Sequence, residues 1–414
     1  AAHDGRGVMT PEIRLFSNRT RFSAHPTASV ADFSHDKLAR ALRFHRTMPG
    51  YAPTPLVRLE GLARGLGVES LHVKDESARF GLKAFKVLGG AYAMACHIAA
   101  LAGRDLDDLP FAALADEAFR RSIGDVVFAT TTDGNHGRGV AWTARQFRQK
   151  AVVHMPAGST AQRLEAIRAE GAQADIVAMN YDEAVRLTAQ EAAEHGWTVV
   201  QDTAWPGYEQ IPLWIMQGYG TLMLEAMRQL HEVPPTHVFI QAGVGSVAGM
   251  VAGMLVAAWG PAHPRVIVVE AAAADCLYRS AVAGTGTPVA VGGELATVMA
   301  GLACGEANTL GWNILRDYAD AFVSCPDFVT ARGMRVLGNP LPGDPAVISG
   351  ESGAVGAGLM SLLAPDATAE SGPRAAMRAA LGLDAHARVL VISTEGDTDP
   401  ARYRSIVWDG QVPN

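Results

Sequence analysis

His237-Val-Phe-Ile-Gln241-Ala-Gly243-Val244-Gly245-Ser246-Val247-Ala248-Gly249 is the stretch on which the fold turns. Residues 237–241 form a short apolar, β-branched run of strand character. Glycines follow at once, and a long apolar segment of helical length begins after them. Position and composition make this turn an anion cradle. Its glycines admit close backbone approach, and the N–H groups at a helix start face the anion. The spacing also satisfies the dinucleotide pattern G-x-G-x-x-[G/A], with Glu270 at the end of the next strand, where a ribose-binding acid would sit. Tight helix–strand packing without a ligand is a third reading.

The same alternation extends in both directions. Strands are predicted at 71–73, 126–130, 151–154, 175–178, 198–201, 265–270 and 389–393. Alanine-rich segments with helical spacing lie between them, as at 162–169 and 181–193. Strand–helix alternation of this kind gives mainly parallel open sheets with helices on both faces. At 414 residues, two packed domains are expected rather than one core. The fold class is therefore α/β with two such sheets.

Bulk properties exclude several functions. The chain is 49% hydrophobic and 19% charged, a globular composition, and its net charge of −7 gives no footing for nucleic acid or an anionic membrane. No apolar run reaches membrane-spanning length, and residues 1–10 lack a signal-peptide pattern. Cys96, Cys276, Cys304 and Cys325 contain no C-x-x-C pair. They read as thiols of a reducing cytosol, with a Cys276–Cys304 bridge left open as an alternative. The histidines lack zinc-ligand spacing, and no P-loop, H-E-x-x-H or G-x-S-x-G motif occurs.

Loops after strands carry the remaining candidates, because open α/β sheets bind ligands beyond the carboxyl ends of their strands. In Glu76-Ser-Ala-Arg79-Phe80-Gly-Leu-Lys83-Ala-Phe85-Lys86-Val-Leu-Gly-Gly90, Lys86 opens an apolar helix. Desolvation there would lower its pKa and make it an amine nucleophile; a snorkelling surface lysine is the other reading. In Thr130-Thr-Thr132-Asp133-Gly134-Asn135-His136-Gly137, a strand enters a glycine-punctuated turn before a helix. Thr132, Asp133, Gly134 and His136 could receive a substrate carboxylate there, and Asn135 could contact a ring oxygen. A capped turn fits equally. Asp202 follows the strand at 198–201 and could share acid–base work with Asp133. Ser393 and Thr394 end a buried strand, where a hydroxyl could reach a heterocyclic nitrogen, and Glu351 stands in a glycine-rich helix start.

Together these pieces resemble the fold-type II pyridoxal-phosphate enzymes, the group of tryptophan synthase β, threonine dehydratase and cysteine synthase. Five phrases carry the match in order: 79–90, 132–139, 201–205, 350–354 and 393–399. Within the group the likeness is strongest to ammonia-lyases of diaminopropionate, over nearly the whole chain from about Tyr51. The resemblance implies pyridoxal 5'-phosphate bound to Lys86 as a Schiff base. Asn135 would contact its phenolic oxygen, and Gly243, Val244, Gly245, Ser246 and Val247 would hold its phosphate. Ser393 or Thr394 would face its pyridine nitrogen, and Lys86, Asp133 and Asp202 would be catalytic. It also implies a homodimer with a small amino-acid substrate. Residues 1–87 and 209–414 would form a large cofactor-binding domain, and 88–208 a small domain.

Related dehydratases typically carry a small hydroxyl residue where Asp133 stands. A carboxylate suits a substrate with a second amino group. It also supplies a base on the Cα face opposite Lys86, so both enantiomers could react. Elimination of ammonia from 2,3-diaminopropionate is the expected reaction. Competing readings are a serine or threonine dehydratase of the same fold and an NAD-dependent oxidoreductase built on residues 243–270.

Overall fold

The computed structural model describes residues 12–22, 28–365 and 372–412. Among them are eleven strands: β1 Arg14–Ser17, β2 Leu56–Arg58, β3 Ser70–Asp75, β4 Val127–Thr131, β5 Lys150–Met155, β6 Gln173–Ile176, β7 Thr198–Val199, β8 His237–Gln241, β9 Arg265–Ala271, β10 Ala321–Cys325 and β11 Arg388–Ser393. They form two sheets, a seven-stranded one ordered β1-β10-β9-β8-β11-β3-β2 and a four-stranded one ordered β6-β5-β4-β7. The small sheet is wholly parallel. The large sheet is parallel except for its two edges, where β1 and β2 pair antiparallel. The expected α/β class of two mainly parallel sheets is what the chain adopts.

Burial explains which strands the sequence reveals. Every residue of β8 and β10 is buried, so each face must be apolar and the run continuous. β10 was missed because Ser324 interrupts its apolar run; the Ser324 hydroxyl is satisfied by Asp275 at 2.7 Å. The edge strands β1 and β2 are only partly buried and span four and three residues, too short for a periodic signal. β6, also an edge and largely exposed, lies at 173–176 rather than at the expected 175–178.

Each sheet reverses strand order at one point. In the large sheet β8 has β9 on one side and β11 on the other; in the small sheet β4 lies between β5 and β7. Crevices form beyond the carboxyl ends of strands at such points. The loops leaving β8, β11, β4 and β7 meet in one cavity.

Helix Lys86–Leu101 is held against this cavity by close backbone packing. A Cβ on Gly89 would stand 2.5 Å from Tyr219 Cε1, and one on Gly218 would stand 2.5 Å from the Leu88 carbonyl. Helices Lys86–Leu101 and Gln210–Gln229 therefore touch at glycines, which sets the position of Lys86. The segment before Lys86 is pinned by a buried ion cluster. Arg79 pairs with Glu76 and Glu225 at 2.8 Å each, and Lys74 with Glu225 at 2.8 Å.

Candidate active site

One cavity is lined by Lys86, Thr132, Asp133, Asn135, His136, Asp202, Gly243 to Val247, and Thr394. These residues come from both sheets, and most of the expected site is among them. Gly134 is not in the lining; it caps helix Asn135–Gln146. Ser393 is not in it either. Its hydroxyl donates to Ser349 Oγ at 2.7 Å, whereas Thr394 lines the cavity. The Thr394 hydroxyl accepts from Gln241 Nε2 at 2.8 Å.

Lys86 Nζ donates to Asp202 Oδ2. Burial pushes the amine pKa down, but the Asp202 carboxylate outweighs it and holds the amine as an ammonium, above the ordinary lysine value. That reverses the expectation of a depressed amine: an apolar helix surrounds the stem, yet a counter-ion stands at the tip. The same pair acts on Asp202, whose carboxyl burial would raise but which the Lys86 ammonium holds well below the usual range. Tyr181 donates to Asp202 Oδ1 at 3.2 Å and fixes the carboxylate from its other side.

The loop after β4 is tied by Thr132, whose hydroxyl accepts from the Gly134 and Gly137 N–H groups at 2.9 Å each. Asp133 Oδ2 is buried without a hydrogen-bond partner in the protein. Asp133 also lines a second, open cleft with Arg163, Asn180, Tyr181 and Arg402, so it stands where the cleft meets the cavity. His136 Nε2 donates to the Val200 carbonyl at 2.7 Å. Burial pushes its imidazole pKa down, so the ring is neutral, and its buried Nδ1 has no partner. Asn135 Nδ2 donates to Glu395 Oε2.

The glycine turn opens helix Ser246–Trp259. Gly245 has φ +95°, a left-handed conformation that a side chain would strain. A Cβ on Gly243 would stand 3.1 Å from the Gly301 carbonyl, so the turn lies hard against the neighbouring segment. Ser246 Oγ donates to the Asp202 carbonyl and accepts from Asn308 Nδ2 at 2.8 Å. Among the described residues, the N–H groups of Gly243 to Val247 make no hydrogen bond within the protein, as anion donors at a helix start require. Together with the partnerless Asp133 and His136 atoms, the donor turn and the amine suit an anionic aldehyde carrying a polar ring.

The sequence alone does not mark Tyr181, Gln241 or Asn308 as site residues, nor Ala300, Gly301, Leu302 and Ser352 of the lining. Tyr181 and Asn308 occupy ordinary helix-start positions, and the 300–304 segment bears no motif. Gln241 could have been found, since a glutamine ends an otherwise apolar strand directly before the glycine turn. Glu270 is spent structurally. Its two oxygens accept from the Leu277 and Tyr278 N–H groups at 2.8 and 2.7 Å, capping helix Cys276–Ala283. No ribose could use it, which removes the basis of the oxidoreductase reading. Cys276 and Cys304 are both free thiols.

The fold and this cavity define a fold-type II pyridoxal-phosphate enzyme. Residues 47–370 match the family model of pyridoxal-phosphate dependent enzymes, and the chain belongs to that family. It is 52% identical over 407 residues to diaminopropionate ammonia-lyase of Escherichia coli K12, covering 98% of each chain. Against the Salmonella typhimurium enzyme of the same name it is 51% identical over 405 residues, covering 97% of this chain and 99% of the other. The solved Escherichia coli diaminopropionate ammonia-lyase in complex with D-serine superimposes with a TM-score of 0.89 at 49% identity, over 97% of this chain and 98% of that one. The same enzyme with an aminoacrylate-PLP azomethine reaction intermediate gives a TM-score of 0.87 at the same identity and coverage. Within the pyridoxal-phosphate enzymes, the chain falls among the diaminopropionate ammonia-lyases, and its cofactor is pyridoxal 5'-phosphate.

Proposed function

We propose that the protein eliminates ammonia from 2,3-diaminopropionate, acting as a carbon–nitrogen lyase, with pyruvate and a second ammonia as final products. The observation that carries this reading is Asp133: a buried carboxylate oxygen without a protein partner, at the junction of cavity and open cleft. A substrate with two amino groups brings a second cation to that place. A hydroxyl substrate would leave the carboxylate unmatched.

Lys86 would hold the cofactor through its amine. The bound cofactor supplies an electron sink for the charge left when the Cα proton departs. As a free amine, Lys86 would take that proton on one face of Cα, and Asp202 would keep the resulting ammonium in place. Asp133 serves the opposite face, which gives each enantiomer its own base. The β-amino group leaves as ammonia only from its protonated state, and the Asp133 carboxylate that receives it as a cation would keep it protonated until it departs. Gly243 to Val247 would receive the phosphate, Thr394 would be the hydroxyl available to the pyridine nitrogen, and Thr132 and His136 would border the substrate. Released aminoacrylate then hydrolyses in water.

The same reading divides the chain into a large part, residues 1–87 and 209–414, and a small part, 88–208. The separation of β4 to β7 from the other strands supports it. A homodimer in the cytoplasm completes the proposal. The family resemblance supports the dimer, and four buried free thiols suit a reducing compartment. Among the described residues no helix is long and apolar enough to cross a membrane.

Steady-state release of ammonia and pyruvate tests the reaction. Diaminopropionate should exceed serine in kcat/KM by at least about tenfold, the discrimination expected when a buried charge is left unmatched. A preference for serine or threonine would make the protein a dehydratase.

A further inference from the structure

Glu395 follows the last strand, β11, and lines the cavity, yet the reaction derived above uses no carboxylate there. Its side chain is held at both ends. Oε2 accepts from Asn135 Nδ2, and Oε1 accepts from the Ser352 N–H at 2.8 Å. The residue is 1% exposed. The chain closes tightly around it: a Cβ on Gly353 would stand 3.0 Å from the Glu395 carbonyl, and one on Gly350 would stand 3.1 Å from Oε1.

A carboxylate only accepts hydrogen bonds, whereas an asparagine amide can present either its oxygen or its nitrogen. With Oε1 clamped by a backbone donor, Oε2 cannot rotate away. The partner of Oε2 must then be the amide nitrogen. That nitrogen keeps a second N–H for whatever oxygen lies in the cavity.

We propose that Glu395 is a positioning residue that locks the Asn135 amide as a donor toward the cofactor's phenolic oxygen. The inference rests on the reading of Asn135 given above. A glutamine at this position could not accept from both Asn135 and Ser352, because it has one oxygen instead of two. The amide would turn, and its carbonyl would oppose the ring oxygen. A phenolic oxygen that has lost its donor holds the neighbouring imine proton more tightly.

The test is a pH titration of the visible absorption band of the lysine-bound cofactor, in the purified holoenzyme. E395Q should raise the apparent pKa of that band by about one unit, a tenfold gain in proton affinity. N135A should raise it in the same direction, and the double variant should add nothing beyond N135A. E395D, which keeps the charge but withdraws it, should give a smaller rise. If E395Q does not fold by circular dichroism, E395D and its combination with N135A carry the same comparison. An unchanged titration in the Glu395 variants while N135A shifts would overturn the positioning role alone. No shift in either would overturn the reading of Asn135, and this inference with it.

Discussion

Lys86 Nζ and Asp202 Oδ2 form a partly buried ion pair between the start of helix Lys86–Leu101 and the loop after β7, their side chains 18% and 5% exposed. The lysine is therefore held as an ammonium until something takes its proton or its partner. Asp202→Asn removes the main partner and leaves burial opposed only by the weaker effects of Tyr219 and Asp133, so the amine pKa should fall. The pH above which the apoprotein captures the cofactor aldehyde should drop by at least about one unit. Turnover should fall by about 100-fold or more, because the lysine loses its positioned partner. Spectrophotometric loading of the apoprotein across pH, alongside steady-state kinetics, measures both. An unchanged loading profile would mean that Asp202 does not set the state of the amine.

Asp133 and Lys86 line the same cavity, and in the account above they serve opposite faces of the substrate carbon. Asp133→Asn should cut kcat for one enantiomer of diaminopropionate by about 100-fold while the other loses far less. Separate kinetics with the D and L substrates measure the ratio. Equal losses would count against two bases.

Glu351, next in sequence to the cavity-lining Ser352, makes itself felt through stability rather than rate. Burial and the neighbouring Glu395 push its carboxyl from the ordinary 4.5 up to about 7, against Arg163 and Arg402. Both its oxygens lack hydrogen bonds, and the arginines stand 3.8 and 3.5 Å away. In the folded protein the group keeps its proton where the unfolded chain has lost it. Its stabilising contribution is full below about pH 4.5 and is lost as pH rises through about 7. Relative to E351Q, the wild-type protein should lose up to about 3 kcal/mol across that window, a figure of order only. Chemical denaturation of both proteins between these limits checks it. A flat difference would show that Glu351 is ionised throughout.

Glu225 holds both Arg79 and Lys74 in the cluster beneath the approach to Lys86. Glu225→Gln leaves buried cations short of a counter-charge. It should cost about 3–5 kcal/mol in denaturant unfolding. A loss below about 1 kcal/mol would mean that water reaches the cluster.

The parallel interior of the fold was readable because strands buried on both faces must be apolar runs bounded by turns, as β8 and β11 are. β1 and β2 were not, because edge strands with one wet face leave no such run. The site was legible where a chemical group and a turn signal share a loop: Lys86, Asp133, Asn135 and the glycine turn. It was illegible where spatial neighbours are far apart in sequence. Nothing local tells that Asp202 neutralises Lys86, so the state of the amine was read with the wrong sign. Ser393 and Thr394 likewise differ only through strand alternation, which turns one hydroxyl to Ser349 and the other to Gln241. Glu395 carries no local signal that marks it as a partner of Asn135.

In the proposed reaction everything depends on Lys86 carrying the cofactor. Reduction of the holoenzyme with borohydride, proteolysis and mass spectrometry should find a single pyridoxyl-phosphate adduct, on the peptide containing Lys86. The Lys86→Ala protein should take up no label. An adduct on Lys83 or Lys74 instead, or an unlabelled protein that still turns over diaminopropionate, would contradict the account.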